Sequence, residues 1–98
     1  MPSFRARYLT AVDIGYTDLY NAIPRNKREE ERVSDIVNIF TERIRRCHGC
    51  STAIVERKSF GMIGISNVGV SQAVLADVTE DIMWDMYYNL LEGKLFKD

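Results

Sequence analysis

The segment Asn26–Cys50 constrains the fold most, because its start, its periodicity and its end all predict one amphipathic helix. Asn26 is a preferred N-cap residue, and Glu29 can complete a capping box with it. Glutamates fill the first turns and arginines the last, which is the order that the helix dipole favours. A stripe of apolar residues recurs at helical spacing and is predicted to face the core: Val33, Ile36, Val37, Phe40, Ile44 and Cys47.

The residues before this helix predict a strand and a partly buried connector. Residues Arg5–Ile14 alternate between two faces and are rich in β-branched and aromatic side chains, which favours one strand. Gly15 ends it. The connector 16–24 is too apolar for a wholly exposed loop, and we expect it to contain a short helical turn opened by Thr17 or Asp18.

The second half of the chain predicts a hairpin followed by a second helix. Residues 51–57 and 60–66 have the length and composition of two short strands. The second helix is expected at residues 72–92, where Ser71 is a suitable N-cap and Gly93 a suitable C′ residue. The last residues are expected to form either a frayed tail or a short final strand.

The predicted order is β-α-β-β-α, with a possible short final strand. This is the split βαβ order of ferredoxin-like α+β folds, so we expect a two-layer sandwich with an antiparallel sheet and both helices on one of its faces. A chain of 98 residues has the size of one domain, 1–98. Element order carries no function by itself.

Composition excludes several classes of protein. A hydrophobic content of 46% with 28% charged residues is that of a globular chain rather than a disordered or fibrous one. The longest nearly apolar run, Phe60–Ile65, is far shorter than the roughly 20 residues that span a bilayer, so no membrane association is expected. The N-terminus lacks the apolar core of a signal peptide, and two cysteines are too few for a disulfide framework, which together favour the cytoplasm.

Charge is divided unevenly along the chain. Residues 1–58 contain 11 Lys or Arg and 8 Asp or Glu, a net charge of +3, whereas residues 59–98 contain 2 and 6, a net charge of −4. A basic half can face nucleic acid, but it can equally face the acidic half of its own chain or of a second subunit, and we favour the latter.

The sequence Cys47-His48-Gly49-Cys50 ends the first predicted helix and contains the residue types of a metal or thiol site. A structural zinc site needs four ligands, so Cys47, His48 and Cys50 would require a carboxylate or a second subunit. The helix dipole disfavours a thiolate at this end. We therefore favour a helix end in which Cys47 is core, Gly49 caps and His48 is exposed, with an intersubunit metal or thiol site as the alternative.

An acidic row also lies on the second helix. Asp77, Asp81 and Asp85 recur at i, i+4 and i+8, where like charges repel. We expect a solvated face first, ion pairs with the basic first helix or a second subunit next, and a bound cation last, because one helix face supplies too few ligands.

The second helix carries apolar residues on two sides, which is the clearest functional signal in the chain. Its predicted core stripe consists of Leu75, Val78, Ile82, Met86 and Leu90. Trp84, Tyr88 and Leu91 lie nearly opposite that stripe, with Tyr87 beside them, where a surface helix is usually polar. Exposed aromatic surface typically marks an association site, although burial by the connector or by the C-terminal residues is the alternative.

These observations favour a non-enzymatic homo-oligomeric module, a dimer or higher oligomer, that binds proteins as an adaptor or regulator. The subunits would join through the aromatic side of the second helix or through the open face of the sheet. Phosphate-loop, dinucleotide, nucleophile-elbow and two-histidine motifs are absent from the sequence, and no cofactor is predicted.

The alternative function is nucleic-acid binding by a basic set: Arg43, Arg45, Arg46, Arg57 and Lys58. A pI of about 5.8 and glutamates between the basic residues weigh against it.

Overall fold

The computed structural model describes residues 6–8, 12–27, 30–59 and 61–96, and within them the chain is an α+β protein with one antiparallel sheet. The elements in chain order are β1 (Ala6–Tyr8), β2 (Val12–Gly15), α1 (Thr17–Asn21), α2 (Glu30–Arg45), β3 (Ile54–Ser59), β4 (Met62–Ser66) and α3 (Gln72–Leu91). A single turn of 3-10 helix at Arg25–Lys27 lies between α1 and α2. None of the described helices is long and apolar enough to cross a membrane.

The prediction of one strand at Arg5–Ile14 is wrong, because the chain reverses within it. β1 and β2 are antiparallel neighbours, with Tyr8 opposite Val12 and Ala6 opposite Ile14. The residues between the two strands include no Gly, Pro, Asn or Asp, which are the usual signals of a turn. Two strands that alternate in the same way therefore look like one in the sequence.

The sheet has the order β1-β2-β4-β3, so β4 is a central strand. Ile63 of β4 lies opposite Ile14, and Ile65 lies opposite Val12 on one side and Val55 on the other. Both isoleucines are fully buried. β3 is an edge strand, and its pairing with β4 is interrupted by a bulge near its C-terminal end.

Helix α2 is shorter than predicted at both ends. Asn26 lies in the 3-10 turn and α2 begins at Glu30, so the prediction of Asn26 as its N-cap is wrong. The helix ends at Arg45, before the predicted stripe reaches Cys47. Four members of that stripe are confirmed as buried core: Val33, Ile36, Phe40 and Ile44. Val37 and Cys47 are half-buried against it.

Helix α3 has the ends that the sequence predicts. The Ser71 hydroxyl accepts a hydrogen bond from the Val74 N–H at 3.2 Å, which is an N-cap contact. At the other end, Gly93 has a φ of 73° and donates its N–H to the carbonyl of Leu90 at 3.1 Å. Such a left-handed residue at C′ is typical of a helix end closed by glycine.

The buried side of α3 differs from the predicted stripe. Leu75 and Met86 are buried as expected, but Thr79 and Met83 replace Val78 and Ile82 at the centre of the core. The half-buried members of the predicted stripe are Val78, Ile82 and Leu90. The shift follows from the packing of α3, which contacts α2, α1 and the two strands of the first hairpin. The helix is consequently covered on more than one side.

Two segments outside the long helices complete the core. The connector contributes Tyr16, Leu19 and Ile23, which are almost completely buried, and it contains the predicted short helix as α1. Near the C-terminus Leu95 is buried, and the Arg32 guanidinium lies 4.9 Å from the centre of the Phe96 ring. A short final strand is not formed at residues 94–96, and the last two residues lie outside the described part.

Candidate protein-interaction site

Three rings on α3 form one contiguous cluster. The rings of Trp84 and Tyr88 are stacked, with centroids 5.7 Å apart and planes inclined by 22°. Tyr87 meets both edge-on, at 6.4 Å from Trp84 and 5.9 Å from Tyr88. Offset-stacked and edge-to-face arrangements are favourable for aromatic pairs, so each ring restricts the orientation of the other two.

The cluster is buried on its inner side and exposed on its outer side. Trp84 and Tyr87 are half-buried and pack against the core. Tyr88 keeps 46% of its surface exposed, and Leu91, one helical turn further on, keeps 58%. These four residues, named here the aromatic face, are the ones that the sequence predicts as an interface. The structure places all four on the C-terminal half of α3.

The position of the aromatic face follows from helical geometry. Residues 84, 88 and 91 recur at i, i+4 and i+7, so they share one side of the helix. The buried residues Thr79, Met83 and Met86 define the opposite side. Burial of the Thr79 hydroxyl is compensated, since it donates a hydrogen bond to the Ala76 carbonyl at 2.9 Å. α3 therefore fills the core with one side and presents rings with the other.

The acidic row beside the aromatic face is partly neutralised by α2. Asp85 forms an ion pair with Arg43 and accepts a hydrogen bond from the Asn89 side chain at 3.1 Å. Asp77 and Asp81 are exposed. The solvated face that we expect first is found at Asp77 and Asp81, and the ion pair with the first helix that we expect next is found at Asp85. An ion pair as exposed as Arg43–Asp85 contributes less than about 1 kcal/mol. It positions α3 beside α2 more than it stabilises the fold.

The two cysteines of the Cys-His-Gly-Cys sequence are both free thiols with different surroundings. Cys47 is half-buried, and its thiol donates to the carbonyl of Arg43 at 3.8 Å, whereas Cys50 is completely buried and belongs to the core. His48 is exposed, and Gly49 has the predicted left-handed conformation with a φ of 81°. Burial, and to a lesser extent the nearby Cys47, raises the pKa of the Cys50 thiol.

A metal site at these residues stays a prediction. Within the described ranges, no three His, Cys, Asp or Glu side chains are grouped so that they could hold a metal ion. The raised pKa of Cys50 also opposes the thiolate form that binds metals. A metal at Cys47 and Cys50 would therefore need ligands from a second subunit.

The basic residues predicted for nucleic-acid binding are distributed over α2, the turn that follows it and β3. Arg43 is paired with Asp85, and the Arg45 Nε donates to the carbonyl of Ala53 at 3.1 Å. Arg45 and Arg46 also line a shallow groove of about 780 Å³ along α2, together with acidic side chains of the same helix. The remaining two, Arg57 and Lys58, are exposed on β3. Nucleic-acid binding by this set stays a prediction.

Sequence reasoning missed a contact between the loop after α2 and the loop before α3. The Gly49 carbonyl accepts the Gly69 N–H at 2.6 Å. Thr52 and Asn67 bind each other reciprocally: the Thr52 hydroxyl donates to the Asn67 carbonyl at 3.1 Å, and the Asn67 amide donates to the Thr52 carbonyl at 2.9 Å. Glycine and asparagine marked both segments as turns, but turn composition does not reveal which loops meet.

The aromatic face is suited to burying apolar surface with some polar recognition. Tyrosine and tryptophan combine a large ring with one hydrogen-bonding group, which is why both are frequent in protein interfaces. The ring contacts restrict the orientation of Tyr88, so that binding of a partner at this face would cost less entropy. Comparison of the chain with protein-family models, curated proteins and solved structures finds no match.

Proposed function

We propose that this chain is a non-enzymatic protein-interaction module that forms a homodimer or a higher homo-oligomer through the aromatic face and acts as an adaptor or regulator. The observation that carries the proposal is the exposure of Tyr88 and Leu91 next to the stacked Trp84 ring. Aromatic residues held in place at the centre of an apolar patch are typical anchors of interfaces.

A second copy is the favoured partner because the chain is small and its charge is divided. A domain of this length buries a modest share of its surface on folding, so self-association adds to its stability. A two-fold axis brings the same patch of both subunits together. It also lets the basic first half of one subunit, with a net charge of +3, approach the acidic second half of the other, with −4.

An antiparallel pair of α3 helices fits the spacing of the aromatic face. Trp84 lies about 6 Å before Tyr88 along the helix axis and Leu91 about 4.5 Å after it, at the usual rise per residue. With the two-fold axis near Tyr88, Trp84 of one subunit meets Leu91 of its partner, and the two Tyr88 rings meet at the centre. Each exposed apolar side chain of the aromatic face thereby gains an apolar neighbour.

Association through the open face of the sheet stays the alternative route. Strand addition at the β3 edge is less favoured. β3 is an edge strand with exposed charged residues at Glu56, Arg57 and Lys58, and its pairing shifts between Arg57 and Ser59. Charged side chains and bulges are devices by which proteins prevent edge strands from pairing with another chain. This edge therefore opposes strand addition.

The proposal includes the ferredoxin-like assignment of the fold. Its support is the neighbour order β2-β4-β3, in which α2 lies between β2 and β3 in the chain and β3 and β4 form a hairpin. The contacts of α2 with β3, of α3 with β1 and β2, and of the two helices with each other support a layer of helices on one face of the sheet. The departure from the ferredoxin order is at β1, which takes the outer position that a C-terminal strand would fill.

Sedimentation velocity over a wide range of concentrations tests the proposal. The wild-type chain should change from monomer to dimer within the micromolar range, and Leu91→Ser and Tyr88→Ser should remain monomeric. Val74→Ser is the matched control, because Val74 is 48% exposed on the same helix but lies outside the aromatic face. A wild-type chain that stays monomeric throughout, or a dimer that Leu91→Ser and Tyr88→Ser leave intact, would refute it.

A further inference from the structure

The two cysteines are joined by a tight turn whose geometry has a chemical consequence. The Cys50 N–H donates to the Cys47 carbonyl at 3.1 Å, which closes a four-residue turn. Gly49 is its third residue and has a φ of 81°, as a type II turn requires. The first and last Cα atoms of such a turn lie within about 7 Å, and disulfides join Cα atoms roughly 4.4 to 6.8 Å apart. The backbone thus places the two Cα atoms within the range that a disulfide can join.

We propose that Cys47 and Cys50 are a reversible modification site that forms an intrachain disulfide by exchange with a small-molecule disulfide of the glutathione type. The site is separate from the aromatic face. It shares no residue with that face and adjoins the loop before α3 through the hydrogen bond from the Gly69 N–H to the Gly49 carbonyl.

The unequal burial of the thiols gives the order of the steps. Cys47 is half-buried and Cys50 is inaccessible, so an external disulfide meets Cys47 first. The Cys47 thiolate attacks one sulfur of the small disulfide, which forms a mixed disulfide and releases one small thiol. For this step the Cys47 side chain rotates about its Cα–Cβ bond away from the Arg43 carbonyl, to which it otherwise donates.

The second step closes the ring and balances the reaction. Cys50 loses its proton and attacks the Cys47 sulfur, and the second small thiol leaves. Two S–H bonds of the protein become one S–S bond, while one small disulfide is reduced to two thiols that carry the two protons. Because burial raises the pKa of Cys50, this thiol reacts more slowly in the second step than an exposed thiol would. No partner subunit or metal takes part.

The test is made on the wild-type chain. The native protein is incubated with oxidised glutathione, quenched with N-ethylmaleimide and weighed intact. We expect the mass to fall by about 2 Da, for the two hydrogens lost, without added maleimide. A peptide linking Cys47 to Cys50 should appear on digestion, and dithiothreitol should restore both thiols. A lasting glutathione adduct, a disulfide between two chains, or one or two maleimide additions would each overturn the proposal.

Two variants test the order of the steps. Cys50→Ala should stop at the mixed disulfide on Cys47, whereas Cys47→Ser should react far more slowly than wild type because its remaining thiol is buried. Circular dichroism checks that both variants keep the helical content of wild type. If Cys47→Ser forms an adduct as fast as the wild-type chain does, the assigned order is wrong.

Discussion

Replacing Gly49 by alanine tests how tightly the loop after α2 is fitted against the loop before α3. A Cβ added at Gly49 would lie 2.7 Å from the Val70 Cγ1 and 3.3 Å from the Gly69 carbonyl oxygen. Gly93 has almost the same backbone, with a φ of 73° against 81°, but a Cβ there would meet nothing within 4 Å. The two glycines therefore share the conformational strain and differ in the steric clash.

The expected magnitudes follow from that difference. Alanine in the left-handed region costs about 1 to 2 kcal/mol, and the reduced freedom of the unfolded chain returns about 0.4 to 1 kcal/mol. Gly93→Ala should therefore lower the free energy of unfolding by about 1 kcal/mol. Gly49→Ala adds an overpacking cost of about 1 to 3 kcal/mol, for a total of about 2 to 4 kcal/mol. Its displacement would also strain the 2.6 Å hydrogen bond from Gly69.

Urea denaturation followed by circular dichroism measures both variants. The double variant Gly49→Ala/Val70→Ala is the control, and its stability is compared with that of Val70→Ala alone. Because the Val70 Cγ1 is then absent, the Gly49→Ala change should lose most of its extra cost in that background. Equal losses for Gly49→Ala and Gly93→Ala would show that the loops yield without cost and would refute the argument. If Val70→Ala does not reduce the loss of stability caused by Gly49→Ala, the clash is not with Val70.

Two further predictions concern buried polar groups. In the described structure the Tyr16 hydroxyl is buried without a hydrogen-bond partner. Tyr16→Phe should therefore raise the free energy of unfolding by about 1 kcal/mol and the Tm by about 4 to 8 °C. A Tm below that of wild type would show that the hydroxyl is paired. Because burial holds the pKa of Cys50 above its ordinary value, the native thiol stays protonated where the unfolded one ionises. Wild type should therefore lose stability relative to Cys50→Ala as the pH rises above about 8.5, and parallel pH profiles of the two proteins would contradict this.

The long helices could be predicted from the sequence because their signals are local. Periodicity located four core residues of α2, and the serine and glycine at the ends of α3 gave its bounds correctly. The predicted start of α2 is wrong because asparagine is a preferred N-cap residue, yet the chain forms a 3-10 turn at Asn26. A helix start is predicted from one cap residue and its near neighbours in the sequence. Turns prefer the same residues, so the sequence alone does not distinguish a helix start from a turn.

What could not be predicted depends on contacts between distant segments. The reversal between β1 and β2 lacks turn residues, and the meeting of Gly49 with Gly69 joins loops twenty residues apart in the chain. The buried side of α3 also differs from the predicted one. Helical periodicity indicates which sides of a helix are apolar, but not how many neighbouring elements cover them. With α1, α2 and the first hairpin all packed against it, α3 buries Thr79 and Met83 at the centre.

That same packing explains why two residues of the aromatic face are half-buried and the other two are exposed. The sequence places apolar residues on two sides of α3, and one layer of neighbours cannot cover both. The observed rotation of the buried side brings Trp84 and Tyr87 into the margin of the core, where they are half-buried, and leaves Tyr88 and Leu91 outside. Trp84 then supports Tyr88 by stacking. Tyr88 is thus stacked on a ring that packs against the core, and such ordering would lower the entropic cost of binding a partner there.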